Sequence, residues 1–156
     1  MRAILQRVSR AAVRVDGETT GSAGRGLLVL VGVTHEDGPG DVTYLRDKIL
    51  NLRVFPAPDD DIGFERSALD VGADILLVSQ FTLYASTRKG RRPGFTEAAP
   101  GDVSGPMFEQ LVAAFRESGL RVETGVFGAK MAVELVNDGP ATFMLDTADR
   151  QLPRRG

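Results

Sequence analysis

Three segments hold groups that chemistry can use. Ile75-Leu76-Leu77-Val78 is an apolar run of strand type that passes directly into Ser79-Gln80-Phe81-Thr82. Hydroxyls and an amide then stand at a strand's carboxyl end, where α/β folds often build sites. An isolated Ser-x-x-Thr more often only satisfies a turn, and Thr82 as a nucleophile needs a base beside it. Asn137-Asp138-Gly139-Pro140 is the second segment. Glycine before proline permits backbone that other residues avoid, and X–Pro bonds alone have appreciable cis occupancy. A plain hairpin turn accounts for it equally well. A cis bond, however, sets its carbonyl oxygens side by side, able to grip an ammonium group or block one side of a stereocentre. The third segment is Arg88-Lys89-Gly90-Arg91-Arg92. Most charge runs are solvated faces, but this one lies beside any pocket at the Ser79–Tyr84 strand end, and a phosphate backbone is its natural partner.

Composition narrows the chemistry. The chain has 156 residues and no cysteine, which excludes disulfides, thiolate nucleophiles and Cys-ligated zinc. Its one histidine, His35, sits in the turn-type stretch His35-Glu36-Asp37-Gly38-Pro39-Gly40, where a solvated surface position is expected. A Ser-His-Asp or Cys-His machine is therefore not expected. Asp59-Asp60-Asp61 follow Pro56-Ala57-Pro58 in a surface loop and are taken as solvated carboxylates rather than metal ligands. No metal and no cofactor are expected. A formal net charge of −2 argues against a general nucleic-acid binder while allowing a local basic patch. No apolar run nears the roughly 20 residues of a membrane span, and Met1–Val8 lacks a signal-peptide core, so a cytoplasmic protein is expected.

The elements that must position these segments are mostly strands. Ala3–Val8 and Ala11–Val15 precede the turn signal Asp16-Gly17. Gly26–Val33 is a continuous apolar run bounded by glycines, the pattern of a strand buried on both faces. Val42, Leu45, Ile49 and Leu52 recur at helical spacing with Asp41 placed to cap the start. A second helix is expected over 106–118, with Pro106 in its first turn and Gly119 as its stop. Strands are expected at Arg121–Thr124, Met131–Val136 and Thr142–Leu145, and a frayed tail over 150–156. The sum is one α/β domain spanning 1–156, with mostly antiparallel or mixed sheets and two main helices.

These segments together resemble the D-aminoacyl-tRNA deacylases, also called D-Tyr-tRNA deacylases. The likeness runs through Met1–Ala11, Asp16-Gly17-Glu18, Gly26–Val33 and Lys48–Phe55. It is most specific at Val78–Ala85 and Thr87–Pro93, and continues through Val122–Met131 and Val133–Thr142. Gly94 stands where the family often has serine, and Lys130 where histidine or other residues occur; neither touches the two motifs.

The resemblance implies a compact β/β/α layered domain that forms a homodimer with active sites at the interface. Its Ser-Gln-Phe-Thr motif falls on Ser79, Gln80, Phe81 and Thr82, and its Gly-cisPro motif on Gly139 and Pro140, reaching into the partner subunit's pocket. Phe127 and Met131 match the residues that line the adenosine and aminoacyl region. Arg7 matches the arginine that helps fix the Gly-Pro motif. The expected reaction is hydrolysis of D-aminoacyl-tRNA, with glycyl-tRNA mischarged on tRNA(Ala) also accepted. Backbone N–H groups near Phe81 and Thr82 are expected to hold the oxyanion, with Thr82 as support. Two other classes stay open: a non-catalytic RNA-binding dimer and an amino-acid-binding regulatory dimer.

Overall fold

A computed structural model of the chain describes residues 1–153. Strand β1 (Arg2–Val15) turns through Asp16 and Gly17, both at positive φ (51° and 84°), into β2 (Glu18–Ala23). Two consecutive residues of that kind make a tight hairpin whose twist matches its strands. β3 (Gly26–Gly32), helix α1 (Pro39–Asn51), the short helix α2 (Ala68–Val71) and β4 (Asp74–Ser79) follow. A 3₁₀ turn (Phe81–Tyr84), helix α3 (Gly101–Arg116), β5 (Val122–Thr124), β6 (Ala132–Asp146) and a last 3₁₀ turn (Thr147–Gln151) complete it. The strand order is β2-β1-β3-β4-β5, with β6 added to β1. β3–β4 and β4–β5 are parallel and the pairs made by β1 are antiparallel, so the sheet is mixed, as expected.

Successive side chains of a strand face opposite ways, and here each face has its own core. Leu27, Val29, Val31, Ile75 and Leu77 pack with Leu45, Ile49, Leu111 and Phe115 of α1 and α3. Leu28, Leu76 and Val78 turn the other way, onto Val8, Ala11 and Val13 of β1. β1 changes sides midway: Ala3 and Leu5 belong to the helical core, whereas Val8 and beyond belong to the second. The strand therefore bends over the sheet it began in, carrying β2 and the first half of β6 with it. Helices, sheet and folded-over sheet form the three layers. Gly21 marks how closely they approach, because a Cβ there would stand 2.3 Å from the Thr124 carbonyl oxygen.

Four sequence expectations need correction. Asp41 is not the N-cap of α1; Gly38 is, and Asp41 caps from the third helical position by accepting the Gly38 N–H at 3.0 Å. Pro106 is inside α3 rather than in its first turn, since the helix starts at Gly101 behind Pro100. The helix runs through the glycines at 101 and 105 because its buried stripe (Ser104, Phe108, Leu111, Val112, Phe115) stays continuous through them. α2 was not foreseen. The fourth concerns β6. Asn137–Pro140 is no hairpin turn between two strands, because both flanks pair with the same strand β1. Of the tail expected to fray, Arg150 and Gln151 close the last 3₁₀ turn, and 154–156 lie outside the described residues.

The ends of β1 and β6 are tied by Arg2 Nε donating to Asp146 Oδ2 at 2.9 Å. Burial alone would raise the Asp146 carboxyl, but the bond from Arg2, the Ala148 N–H and the nearby positive charge hold it below its ordinary 3.8. A depressed carboxylate stabilises the fold above its unfolded value and loses that contribution as pH falls through the folded one. Chemical denaturation at stepped pH should therefore show part of the acid-side fall below 3.8, and Asp146→Asn should flatten that part.

Candidate active site

The carboxyl end of β4 is cut short by geometry. The Gln80 N–H still donates to the Val31 carbonyl at 2.7 Å, continuing the parallel pair. Beyond it the backbone leaves strand geometry and winds into the Phe81–Tyr84 turn. That turn fits against β3 because Gly32 has no side chain; a Cβ there would lie 3.0 Å from the Gln80 oxygen and 3.1 Å from Leu83 Cβ. Tyr84 is buried behind it, with the Arg2 guanidinium 4.5 Å from its ring centre.

The first two N–H groups of such a turn have no partner inside it. Those of Phe81 and Thr82 donate to no protein acceptor among the described residues, whereas Gln80, Leu83 and Ala85 do. Two adjacent backbone donors are thus free at a strand end. Beside them the Gln80 side-chain amide donates to the Thr82 hydroxyl. An amide N–H is not a base, so this contact orients the hydroxyl without activating it.

A cavity of about 280 Å³ opens here, lined in part by Ser79, Gln80 and Phe81. Val31, Val33, Val78 and Val133 contribute apolar lining, and Phe108, Phe127 and Met131 add larger side chains. Phe127 stands 6.3 Å from Phe108, centre to centre, and its ring reaches within 3.4 Å of where a Cβ on Gly105 would be. Met131 has a similar dependence, since a Cβ on Gly125 would come 2.5 Å from its sulfur. Among the described residues, none that lines the cavity carries an ionisable side chain. Thr82 is exposed and not part of this lining, so it stands at the edge of the cavity and not in it.

A second cluster forms around Arg7. Gln6 pairs with Thr142 and Val8 with Asn137, so Asp138 to Ala141 bulge out of β6 opposite a single residue of β1. That residue is Arg7, only 1% exposed. Its Nε lies 3.0 Å from the Asp138 carbonyl oxygen and 3.2 Å from the Asp138 carboxylate. Its Nη1 donates to the Val54 carbonyl at 2.7 Å, and Phe64 lies 5.7 Å from the guanidinium. Asn137 Oδ1 closes the base of the bulge, accepting from Gln6 Nε2 at 2.7 Å and from Thr142 Oγ1 at 3.0 Å. The Gly139–Pro140 peptide bond at its tip is cis, and both residues are exposed.

Of the residues singled out in the sequence, Ser79, Gln80, Phe81, Phe127 and Met131 share one cavity. Arg7, Gly139 and Pro140 form the other cluster and line no part of that cavity within the same chain. Phe108 and Ser104 also line the cavity and were missed; the apolar stripe of α3 held the signal for Phe108. The Gln6–Asn137 clasp left no local signal. His35 is exposed, its Nε2 2.9 Å from the Thr96 oxygen. Among the described residues no group of three or more His, Cys, Asp or Glu is placed to hold a metal ion, and no helix is long and apolar enough to cross a membrane.

The family model for D-Tyr-tRNA(Tyr) deacylase matches residues 4–146. A D-aminoacyl-tRNA deacylase of Kineococcus radiotolerans is 58% identical over 147 residues, covering 94% of this chain and 99% of its own. One from Thermus aquaticus is 52% identical over 150 residues, covering 96% and 97%. Among solved structures, a c-Myc DNA unwinding element binding protein superposes with a TM-score of 0.87 at 38% identity, covering 94% of this chain and 98% of its own. A probable eukaryotic D-amino acid tRNA deacylase shares the fold, with a TM-score of 0.81 at 21% identity over 92% of this chain and 97% of its own.

Proposed function

The chain belongs to the D-Tyr-tRNA(Tyr) deacylase family, and we propose that it hydrolyses the ester between a D-amino acid and the terminal ribose of tRNA. Residues 1–156 act as one deacylase domain, in the cytoplasm where charged tRNA is found. The observation that carries this is the pair of free N–H groups at Phe81 and Thr82, beside a cavity whose lining holds no acid or base. Such a site suits a reaction whose main demand is oxyanion stabilisation. Water adds to the ester carbonyl, the two N–H groups hold the oxygen as it becomes negative, and the ribose oxygen leaves with a proton. The neighbouring ribose hydroxyl helps place or activate that water. One donor of this kind typically contributes about 3–4 kcal/mol. Ser79 and Gln80 orient the turn, and Phe127 and Met131 hold the adenosine and aminoacyl ends.

Chirality follows from the substrate's ammonium group. The cavity offers it no carboxylate, so acceptors have to come from elsewhere. In this proposal they are the carbonyl oxygens of Gly139 and Pro140 on a second copy of the chain. Exposed Leu135, Val136 and Met144 on β6, which pairs only with β1, support such a homodimer. With the ammonium fixed by main-chain oxygens, an L side chain collides with the backbone that holds it, whereas a D side chain points to solvent. Side-chain identity then matters little, and glycine on tRNA(Ala) is also cut.

The test is hydrolysis of D-Tyr-tRNA and L-Tyr-tRNA with EDTA present. Turnover of the D form alone, unchanged by chelator, is expected. Binding without turnover would instead favour a nucleic-acid-binding module, the class to which the name of the 38%-identical solved relative points. Thr82→Ala should keep substantial activity, because its hydroxyl has an amide for a neighbour and no base; abolished turnover would make Thr82 the nucleophile.

A further inference from the structure

Beyond the cavity, the chain continues into a loop built differently from its surroundings. Ser86 and Gly94 exchange both backbone hydrogen bonds, at 2.8 and 2.9 Å, and so close a neck. From that neck 87–93 projects with Arg88, Lys89, Arg91 and Arg92 all exposed. Among the described residues none of the four has a carboxylate within salt-bridge distance. Arg2, Arg7, Arg14, Arg46, Arg121 and Arg150 are paired. Other cations without a carboxylate partner among the described residues, such as Arg10, Arg25, Arg53 and Arg116, are scattered along the chain, whereas the loop's four stand within five residues.

At the foot of the neck two phenylalanines are left largely in solvent. Phe81 is 55% exposed and Phe95 is 40% exposed, with ring centres 5.0 Å apart and planes at 65°. Together the two adjacent rings form one exposed apolar patch, the kind of feature that marks a contact surface. Phe95 is firmly mounted: the Thr34 hydroxyl donates to the Glu97 carbonyl at 2.6 Å, the Ala99 N–H to the Val33 carbonyl at 2.9 Å, and His35 reaches the Thr96 carbonyl. Phe81 also lines the cavity, while Phe95 does not. The sequence from cavity to solvent is therefore cavity, Phe81, Phe95, basic loop.

We infer that this surface receives the single-stranded 3′ end of the RNA: the base next to the terminal nucleotide stacks on Phe95, and the phosphates behind it lie along Arg88, Arg91 and Arg92. The inference deepens the deacylase proposal and rests on it. Aromatic faces accept any base, and unpaired cations accept any phosphate, so the surface reads strandedness and charge rather than sequence. It also explains how a chain with a net charge of −2 holds a polyanion. Four exposed cations within five residues concentrate positive charge here, whatever the overall balance.

Two substrates separate the parts: D-Tyr-tRNA, and 3′-O-(D-tyrosyl)adenosine, which fills the cavity but has no further nucleotides. Phe95→Ala should raise KM for D-Tyr-tRNA about tenfold, within the range of one lost stacking contact, and leave hydrolysis of the adenosine ester unchanged. Phe95→Trp should restore the KM. The triple replacement of Arg88, Arg91 and Arg92 by Gln should likewise raise KM for the tRNA only and flatten its dependence on salt. Equal losses on both substrates would make Phe95 a mere buttress for Phe81 and overturn the inference, as would no change on either. Wild-type protein that cleaves neither substrate would instead sink the deacylase proposal itself.

Discussion

Replacing Arg7 by alanine should lower the unfolding free energy by about 3–5 kcal/mol, the combined order of the cavity left by a large buried side chain and of the buried Val54 carbonyl left without its donor. The side chain is 1% exposed and reaches the carbonyls of Val54 and Asp138 together with the Asp138 carboxylate. It thus ties three separate stretches of chain, β1, the segment after α1 and the β6 bulge. Urea denaturation measures the effect, and Arg7→Met separates its parts by filling the volume without any donor. A methionine variant as stable as wild type would show that shape alone holds the cluster. Arg7→Lys is the informative variant for function. Lysine can satisfy one of these acceptors but not both directions at once, so the bulge should loosen in a protein that still folds. The ratio of D- to L-Tyr-tRNA hydrolysis should then fall, mainly because the L rate rises.

Gly26→Ala is expected to be at least as damaging, by about 4 kcal/mol or more. A Cβ there would stand 1.9 Å from the Asp74 carbonyl oxygen and within 2.8 Å of its nitrogen. These are backbone atoms of the neighbouring parallel strand and cannot swing aside, so β3 and β4 have to separate at the first rung, Gly26 opposite Asp74. The same ladder ends at Val31 opposite Ser79, and the damage therefore travels to the cavity. Gly24→Ala is the control, since its nearest neighbour is the end of the Asp74 side chain at 3.4 Å; a change within about 1 kcal/mol is expected there. Comparable losses for the two variants would remove the steric explanation.

How much of this was legible in the sequence depended on whether the cause was local. Leu27–Val31 and Ile75–Val78 announced buried strands because both their faces are covered, one by helices and one by folded-over strand. Asp16-Gly17 announced its turn because the required dihedral angles are a property of those two residues. Pro106 misled, because a proline rule that holds for a helix start met a helix whose start is set by its packed stripe. Asn137–Pro140 misled more instructively. Its turn chemistry was read correctly, but a bulge and a hairpin differ only in what the flanking segments pair with, and β1 is more than a hundred residues away in the chain. The Ser79–Thr82 segment was found as a strand end with polar groups. Backbone N–H groups near Phe81 and Thr82 were expected as oxyanion donors; that both lack a protein acceptor among the described residues follows from the tight winding after Gln80, which depends on Gly32 of another strand.

The pairing of β6 with β1, interrupted at the Asp138–Ala141 bulge and by a shift at Ser9, also works as a gauge of distance. Val133, by the cavity, stands opposite Val13, and the Gly139-Pro140 tip projects between the Val8–Asn137 and Gln6–Thr142 rungs of the same ribbon. Within the regular stretch Ala132–Val136, adding or deleting one residue would invert the side chains that follow it up to the next register shift. A change of length is therefore expected to be absorbed at the bulge and to be disruptive within the regular rungs on either side.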